Sequence, residues 1–336
     1  MNTLPDDFDA AALPEFLRDR WGFDVAAADY APLGAGSYHW VVRDRAGGRG
    51  FVTVDDLDHK AWLGDEREVV FEGLRRVFST ALALSEAGLD FVVAPIAARD
   101  GEPVCRVEPR YAMALFPFVD GESSEWGRHE PPEERAILVS LLAEIHRATP
   151  AVASVARTVG LDLPGRQHLE AGLRELNAPW SGGPFSEPAR EALARHAAEV
   201  TELIGLADRL AAAVAGRGNP WVITHGEPHS GNFMRRGTTR LLVDWDTVAL
   251  APPERDLWMV VESAEDAAIY ANATGRQVDE EALSFFRLTW DLKDLAEYLS
   301  ALRSPHRESE DTQRAYDGIV NCVTGAAARE TPRATQ

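Results

Sequence analysis

The sequence predicts an α+β protein, a small mixed-sheet lobe followed by a larger helical one, and three observations predict it. Short β-prone runs divided by glycine turns fill residues 30–54 and recur at 91–116. From about residue 131 the apolar residues fall at helical spacing instead. Between the two patterns stands Pro117-Phe118-Val119-Asp120-Gly121, a turn-forming hinge that divides lobes of 1–116 and 122–336. A cleft beside such a hinge is a natural ligand site.

Taken in order, residues 8–20 read as a short helix ended by Gly22. Residues 30–33, 37–43 and 50–54 read as strands, with turns at Gly34-Ala35-Gly36 and Ala46-Gly47-Gly48. A helix over 64–87 puts Val70, Leu74, Val77, Phe78 and Ala81 on one face and stops at Gly88. Strands follow near 91–96 and 103–116. In the second lobe Leu138, Leu141, Leu142 and Ile145 keep a helical pattern, as do Leu288, Leu292, Leu295, Leu299 and Leu302. One interruption stands out, where Trp221-Val222-Ile223 and Leu241-Leu242-Val243 flank a polar loop.

Composition excludes several functions. The 336 residues carry 34 basic and 54 acidic side chains, a net charge of −20. Such a field repels nucleic acid and anionic lipid and attracts a cationic small molecule. The two cysteines, Cys105 and Cys322, have no paired spacing, so neither a disulfide framework nor a thiolate zinc site is expected. No apolar run reaches the ~20 residues of a membrane span. With no leader pattern at the start, a cytoplasmic location is expected. Only Lys60 and Lys293 are lysines, a scarcity that matters once a phosphate ligand is sought.

The chemistry concentrates in Thr224-His225-Gly226-Glu227-Pro228-His229-Ser230-Gly231-Asn232 and, one apolar run later, Asp244-Trp245-Asp246. A carboxylate, an amide five residues on and a second carboxylate at a strand end suit phosphoryl transfer. That reaction needs a group to orient the attacking hydroxyl and oxygen ligands for Mg2+. A zinc hydrolase reading of His225 and His229 fails on spacing. The glutamate comes one place late, and Gly226 and Pro228 break the helix that would align the histidines. A buried turn with satisfied histidines remains as the plain reading. Leu33-Gly34-Ala35-Gly36-Ser37-Tyr38-His39 is a nucleotide-loop candidate. The strand-like run after it suits a lid over phosphates or a simple hairpin, whereas a dinucleotide fold needs a helix there.

Together these segments resemble the aminoglycoside phosphotransferase-like antibiotic and small-molecule kinases. The signature of that family is His-Gly-Asp-x-His-x-x-Asn, a strand ending in Asp-Trp, then proline and Asp-Leu. Matching it are residues 225–232, Val243-Asp244-Trp245 and Pro252-Pro253-Glu254-Arg255-Asp256-Leu257. The resemblance spans about residues 20–325 and is nearest the spectinomycin phosphotransferase type. It implies a two-lobed protein-kinase-like fold and a small-molecule O-phosphotransferase using ATP or GTP with Mg2+. It implies Glu227 as the catalytic carboxylate and Asn232 and Asp244 as metal ligands. Gly34, Gly36 and Ser37 would cover the nucleotide phosphates, with Phe118 and Val119 at the purine edge. His225, His229 and Asp256 would support the catalytic loop.

This chain departs from the family pattern twice. Glu227 stands where the family has aspartate, and Thr53 stands where its third strand offers a phosphate-binding lysine. Lys60 or Arg43 is left to supply that charge, with Glu72 rather than Glu68 as its helix partner. The expected acceptor is an aminoglycoside or aminocyclitol first, then a nucleoside or other sugar-containing antibiotic, with resistance as the outcome. Acidic residues such as Glu262, Glu265, Asp291, Asp294 and Glu297 are candidates to face it. The alternatives are a metabolic kinase for an amino alcohol or sugar and a catalytically silent nucleotide-binding protein.

Overall fold

The computed structural model describes residues 7–34, 36–124 and 129–329. The protein is α+β and divides into two compact units, Met1–Val159 with Pro220–Val278, and Gly160–Asn219 with Asp279–Gln336.

The first unit opens with a 3-10 turn at Ala10–Ala12, capped by Asp9, which leads into α1 (Leu13–Trp21). Five strands then form one sheet: β1 (Val25–Ala31), β2 (Tyr38–Asp44), β3 (Arg49–Asp56), β4 (Cys105–Arg106) and β5 (Tyr111–Pro117). Their order is β1-β2-β3-β5-β4 and every pairing is antiparallel. The helix α2 (Arg67–Glu86) lies between β3 and β4 in sequence. Alternation along the strands sorts the two faces of the sheet. Trp40, Val42, Val52, Val54, Met113 and Leu115 pack with Leu13 and Leu17 of α1 in one core. By the same alternation Thr53 and Asp55 take the opposite face.

Three strands differ from expectation. β1 begins at Val25 rather than residue 30, because the ladder to β2 captures an alanine-rich stretch of weak strand propensity. Residues 91–96 make only an isolated parallel bridge, Val92 to Leu242, and Pro95 has no N–H to extend it. The run at 103–116 is divided into β4 and β5 by a turn containing Pro109.

Beyond β5, β6 (Glu122–Ser123) pairs with β8 (Phe233–Arg236), and β8 with β9 (Thr239–Leu242). The helices α3 (Pro132–Arg147) and α4 (Thr149–Val152) lead to residues 157–159, which bond to β10 (Ala249–Ala251) through Leu250. β10 is antiparallel to β7 (Val222–Thr224). Then come α8 (Glu254–Leu257) and α9 (Ala264–Thr274), the latter opened by a Ser263/Asp266 capping box. Residues 225–232 therefore run from β7 to β8, and Asp244 follows β9.

The second unit is helical, with α5 (Arg166–Arg174), α6 (Ser186–Arg195), α7 (Ala197–Gly216), α10 (Glu280–Arg303) and α11 (Glu310–Arg329). The α10 leucines read from their spacing, Leu288, Leu292, Leu295, Leu299 and Leu302, are buried in its core with Leu169, Leu193, Val200 and Ile319. Among the described residues no helix is long and apolar enough to cross a membrane.

Candidate active site

The loop after β7 is shaped by one buried carboxylate. Asp256, on α8, accepts from the His225 N–H at 2.8 Å and the Gly226 N–H at 2.7 Å. His146 of α3 donates Nε2–H to the same carboxylate at 3.1 Å, and its Nδ1 accepts from the Tyr270 hydroxyl at 2.9 Å. Within the loop, His225 Nε2 donates to the Val243 carbonyl at 3.0 Å and Nδ1 accepts from the Glu227 N–H at 3.2 Å. That tautomer is neutral, and burial pushes the His225 pKa down to about 4. Burial, reinforced by His225, does the same to His229.

Gly226 cannot be replaced cheaply. Its φ is +102°, and a Cβ there would fall inside the Arg255 guanidinium. That guanidinium is pinned by its bonds to Thr224 Oγ1 at 2.9 Å and the Thr247 carbonyl at 3.0 Å. Gly226→Ala is expected to lose roughly 1–3 kcal/mol of stability. Urea denaturation of Gly226→Ala beside Gly218→Ala checks this, because Gly218 also has positive φ but open space around its Cα. Equal losses in the two variants would reject the steric account.

Three of the expected site residues are brought together. Asn232 is buried and donates Nδ2–H to the Glu227 carbonyl at 2.9 Å, while its own carbonyl accepts from the Val243 N–H at 3.0 Å. This draws the residue before Asp244 against the loop after β7. Asp244 has φ +67°, the sole non-glycine residue with positive φ among those described. A left-handed aspartate is uncommon, and such strain gathers at functional sites. Trp245 anchors it, donating to the Leu242 carbonyl at 3.0 Å with its ring 4.7 Å from that of His225. The Asp244 side chain is open to solvent yet closely surrounded by protein. Burial, then Asp246 and Glu227, push its pKa up. The Asp244 carboxylate and the Asn232 amide oxygen are oxygen donors of the kind Mg2+ takes, alongside water and phosphate, although among the described residues no three His, Cys, Asp or Glu side chains gather to hold a metal.

The glycine loop joins β1 to β2. Gly34 has φ +63°, and Gly36 is exposed with the Lys60 ammonium 3.9 Å from where its Cβ would stand. Ala35 lies outside the described residues. Lys60 follows β3 on a 3-10 turn and is wholly buried, with Nζ 2.9 Å from Asp55 Oδ1, 2.8 Å from Asp246 Oδ2 and 3.2 Å from Ser37 Oγ. Burial alone would depress its pKa, but Asp246 and Asp55 outweigh it and hold Lys60 charged. The expected partner was Glu72, and the structure corrects this: Glu72 is exposed on α2 and pairs with Arg75 at 2.8 Å. A strand aspartate is nearer because Asp55, two residues beyond Thr53, shares its face of the sheet. Arg43 is likewise turned away and pairs with Asp29 at 3.1 Å. Thr53 is buried beside His39, 3.2 Å from its Nδ1.

Phe118 and Val119 follow β5 in the connection to β6, half-buried, with Arg49 stacked 4.1 Å over the Phe118 ring. Of the acidic residues expected to face an acceptor, Glu262 is held by His129 at 2.8 Å and Arg135 at 3.3 Å. Glu265 is exposed at the start of α9, and Asp291, Asp294 and Glu297 belong to α10 of the second unit. Sequence reading missed Asp55, Asp246, Arg255 and His146. Only Asp246 carried a visible signal, as the second acid of Asp244-Trp245-Asp246.

Comparison with known proteins shows the family and the fold. Protein StrN of Streptomyces griseus is 28% identical over 252 residues, 72% of this chain and 75% of that protein. Spectinomycin phosphotransferase APH(9)-Ia, solved with ADP and spectinomycin, superposes with a TM-score of 0.72 at 16% identity, covering 96% of this chain and 99% of the other. Amicoumacin kinase hAmiN, solved with AMP-PNP, Ca2+ and Ami, gives a TM-score of 0.59 at 12% identity and 94% coverage of both chains. The sequence profile of the phosphotransferase enzyme family matches residues 17–310, a span that takes in the whole site. The chain therefore belongs to the phosphotransferase enzyme family and is a phosphotransferase.

Proposed function

We propose that this phosphotransferase moves the terminal phosphoryl group of ATP or GTP onto a hydroxyl of a small-molecule antibiotic. An aminoglycoside or aminocyclitol is the first choice of acceptor and another sugar-containing antibiotic the second, and the cell gains resistance. The carrying observation is the convergence of Glu227, Asn232 and Asp244 on one loop-and-strand-end framework. A net charge of −20 supports a cationic acceptor, and the cytoplasm, where nucleotide is supplied, is the proposed location.

In this reading Gly34, Gly36 and Ser37 cover the phosphates and Phe118 and Val119 flank the purine. Lys60, steadied by Asp55, lends its charge from beneath the glycine loop. Asn232 and Asp244 would hold Mg2+, which when bound would neutralise phosphate charge. Glu227 orients the acceptor hydroxyl and takes its proton as the new O–P bond forms and the bond to the leaving nucleoside diphosphate breaks. His225, His229 and Asp256 keep the loop in place.

Incubating an antibiotic and amino-alcohol panel with ATP or GTP and Mg2+, read by mass, tests this. A gain of one phosphoryl group on an antibiotic is expected, and Glu227→Gln should lower that rate by roughly 10²-fold or more. Transfer confined to amino alcohols would overturn the antibiotic assignment. Nucleotide binding with no transfer to any acceptor would overturn the catalytic one.

A further inference from the structure

Phosphoryl transfer places negative charge on the oxygens of the moving group, and fixed cations lower the barrier. Among the described residues Lys60, Arg255 and Arg157 lie within electrostatic reach of Asp246 or Glu227, and two of them are already engaged. Lys60 is enclosed by Asp55, Asp246 and Ser37. Arg255 is committed to Thr224 and Thr247 and lies against the backbone of Gly226.

The third is Arg157. It precedes the short extended segment bonded to β10, where its carbonyl accepts from the Leu250 N–H at 2.8 Å. One arm, Nη2, donates to the Trp62 carbonyl at 2.8 Å. Trp62 in turn packs its ring 4.9 Å from the Lys60 ammonium, which contacts Asp246. Arg157 is thus tethered beside the Lys60–Asp246 pair while no described carboxylate lies within ion-pair distance of it. Burial, with the neighbouring Arg255, depresses its pKa, against the pull of Asp246. An arginine held in such a place stays charged, and a partly buried guanidinium without a counter-ion is costly unless an anion arrives.

We propose that Arg157 binds the oxygens of the transferring phosphoryl group, supplying from this chain's own fold the cation that stabilises the transition state. The inference rests on the phosphotransfer reading above. Tethering by a backbone carbonyl fixes one side of the guanidinium fork, leaving its other N–H groups for phosphate oxygens.

The test needs no knowledge of the acceptor. ADP affinity is measured by calorimetry with Mg2+, with and without fluoroaluminate as a mimic of the moving phosphoryl group, for the parent, Arg157→Ala and Arg157→Lys. In the parent fluoroaluminate should tighten ADP. In Arg157→Ala that tightening should fall by roughly 10²-fold while plain ADP affinity and the melting midpoint hold. Arg157→Lys should recover part of it, and free guanidinium should partly restore the fluoroaluminate tightening of Arg157→Ala, which a merely structural arginine would not permit. Equal tightening in parent and Arg157→Ala overturns the inference, as does parent ADP binding with no tightening. A parent chain that binds no ADP overturns the phosphotransfer reading itself.

Discussion

An Asp244→Asn variant is expected to lose roughly 10³-fold in kcat, the several kcal/mol a phosphate-bridging metal contributes, while melting no lower than the parent. The two halves of this expectation have different causes. Activity falls because an amide oxygen carries no formal charge to hold Mg2+ against triphosphate. Stability holds for two reasons. Asparagine tolerates the left-handed backbone that Asp244 occupies at φ +67°. It also removes a carboxylate whose pKa is raised by burial, Asp246 and Glu227. A carboxylate with a raised folded-state pKa opposes the fold as pH rises above its unfolded-state value, and because this side chain is open to solvent its loss relieves the fold only slightly at neutral pH. Mg2+ titration with turnover and melting curves on the same preparation checks both. A variant within tenfold of parent kcat would remove Asp244 from the metal site.

The loop from His225 to Asn232 was legible in the sequence because its residue types are rare in combination and Gly226 and Pro228 forbid a helix. The same local cues could not reveal what holds it, and Asp256 was expected there only through the family resemblance. Asp256 reaches that loop from 30 residues away and His146 reaches Asp256 from a separate helix, 110 residues earlier. On an amphipathic helix such a histidine looks like any other core histidine. The cation beneath the glycine loop was ambiguous for a related reason. Asp55 stands in the acidic run Asp55-Asp56-Leu57-Asp58, where Asp55 and Asp56 are both buried, and only the alternation along β3 decides that Asp55 meets Lys60 while Asp56 meets Arg110. The Lys60–Asp246 contact spans 186 residues. β1 was misjudged at its start because alanine has little strand preference and the β2 ladder decided the matter. Local chemistry was readable, then, and of its long-range bracing only Asp256 was, through the family resemblance.

That bracing is open to a direct test. Asp256→Ala is expected to destabilise the chain by about 3–5 kcal/mol, the range for removing one partner of a buried charged network. The carboxylate is fully buried and takes three hydrogen bonds, from the His225 and Gly226 N–H groups and from His146 Nε2. Alanine leaves all three donors in a dry interior with no acceptor, and each unsatisfied donor is costly. Asp256→Asn should lose less, since its amide oxygen still serves part of the set while its NH2 meets another donor. Burial would raise the Asp256 pKa, but the hydrogen bond from His146, with His225 and Arg255 nearby, outweighs it and keeps the pKa below the ordinary value. Its contribution is therefore present above the unfolded-state pKa and fades as pH falls through the lowered one. Urea midpoints at neutral pH and near pH 3 should accordingly separate parent and Asp256→Ala more widely at neutral pH. The catalytic consequence follows from geometry, since Glu227 sits one residue past the two N–H groups that Asp256 holds. A shift of about 1 Å there is enough for roughly a 10²-fold loss in kcat. An Asp256→Ala chain with the parent's urea midpoint would mean that the loop is held by something other than this carboxylate.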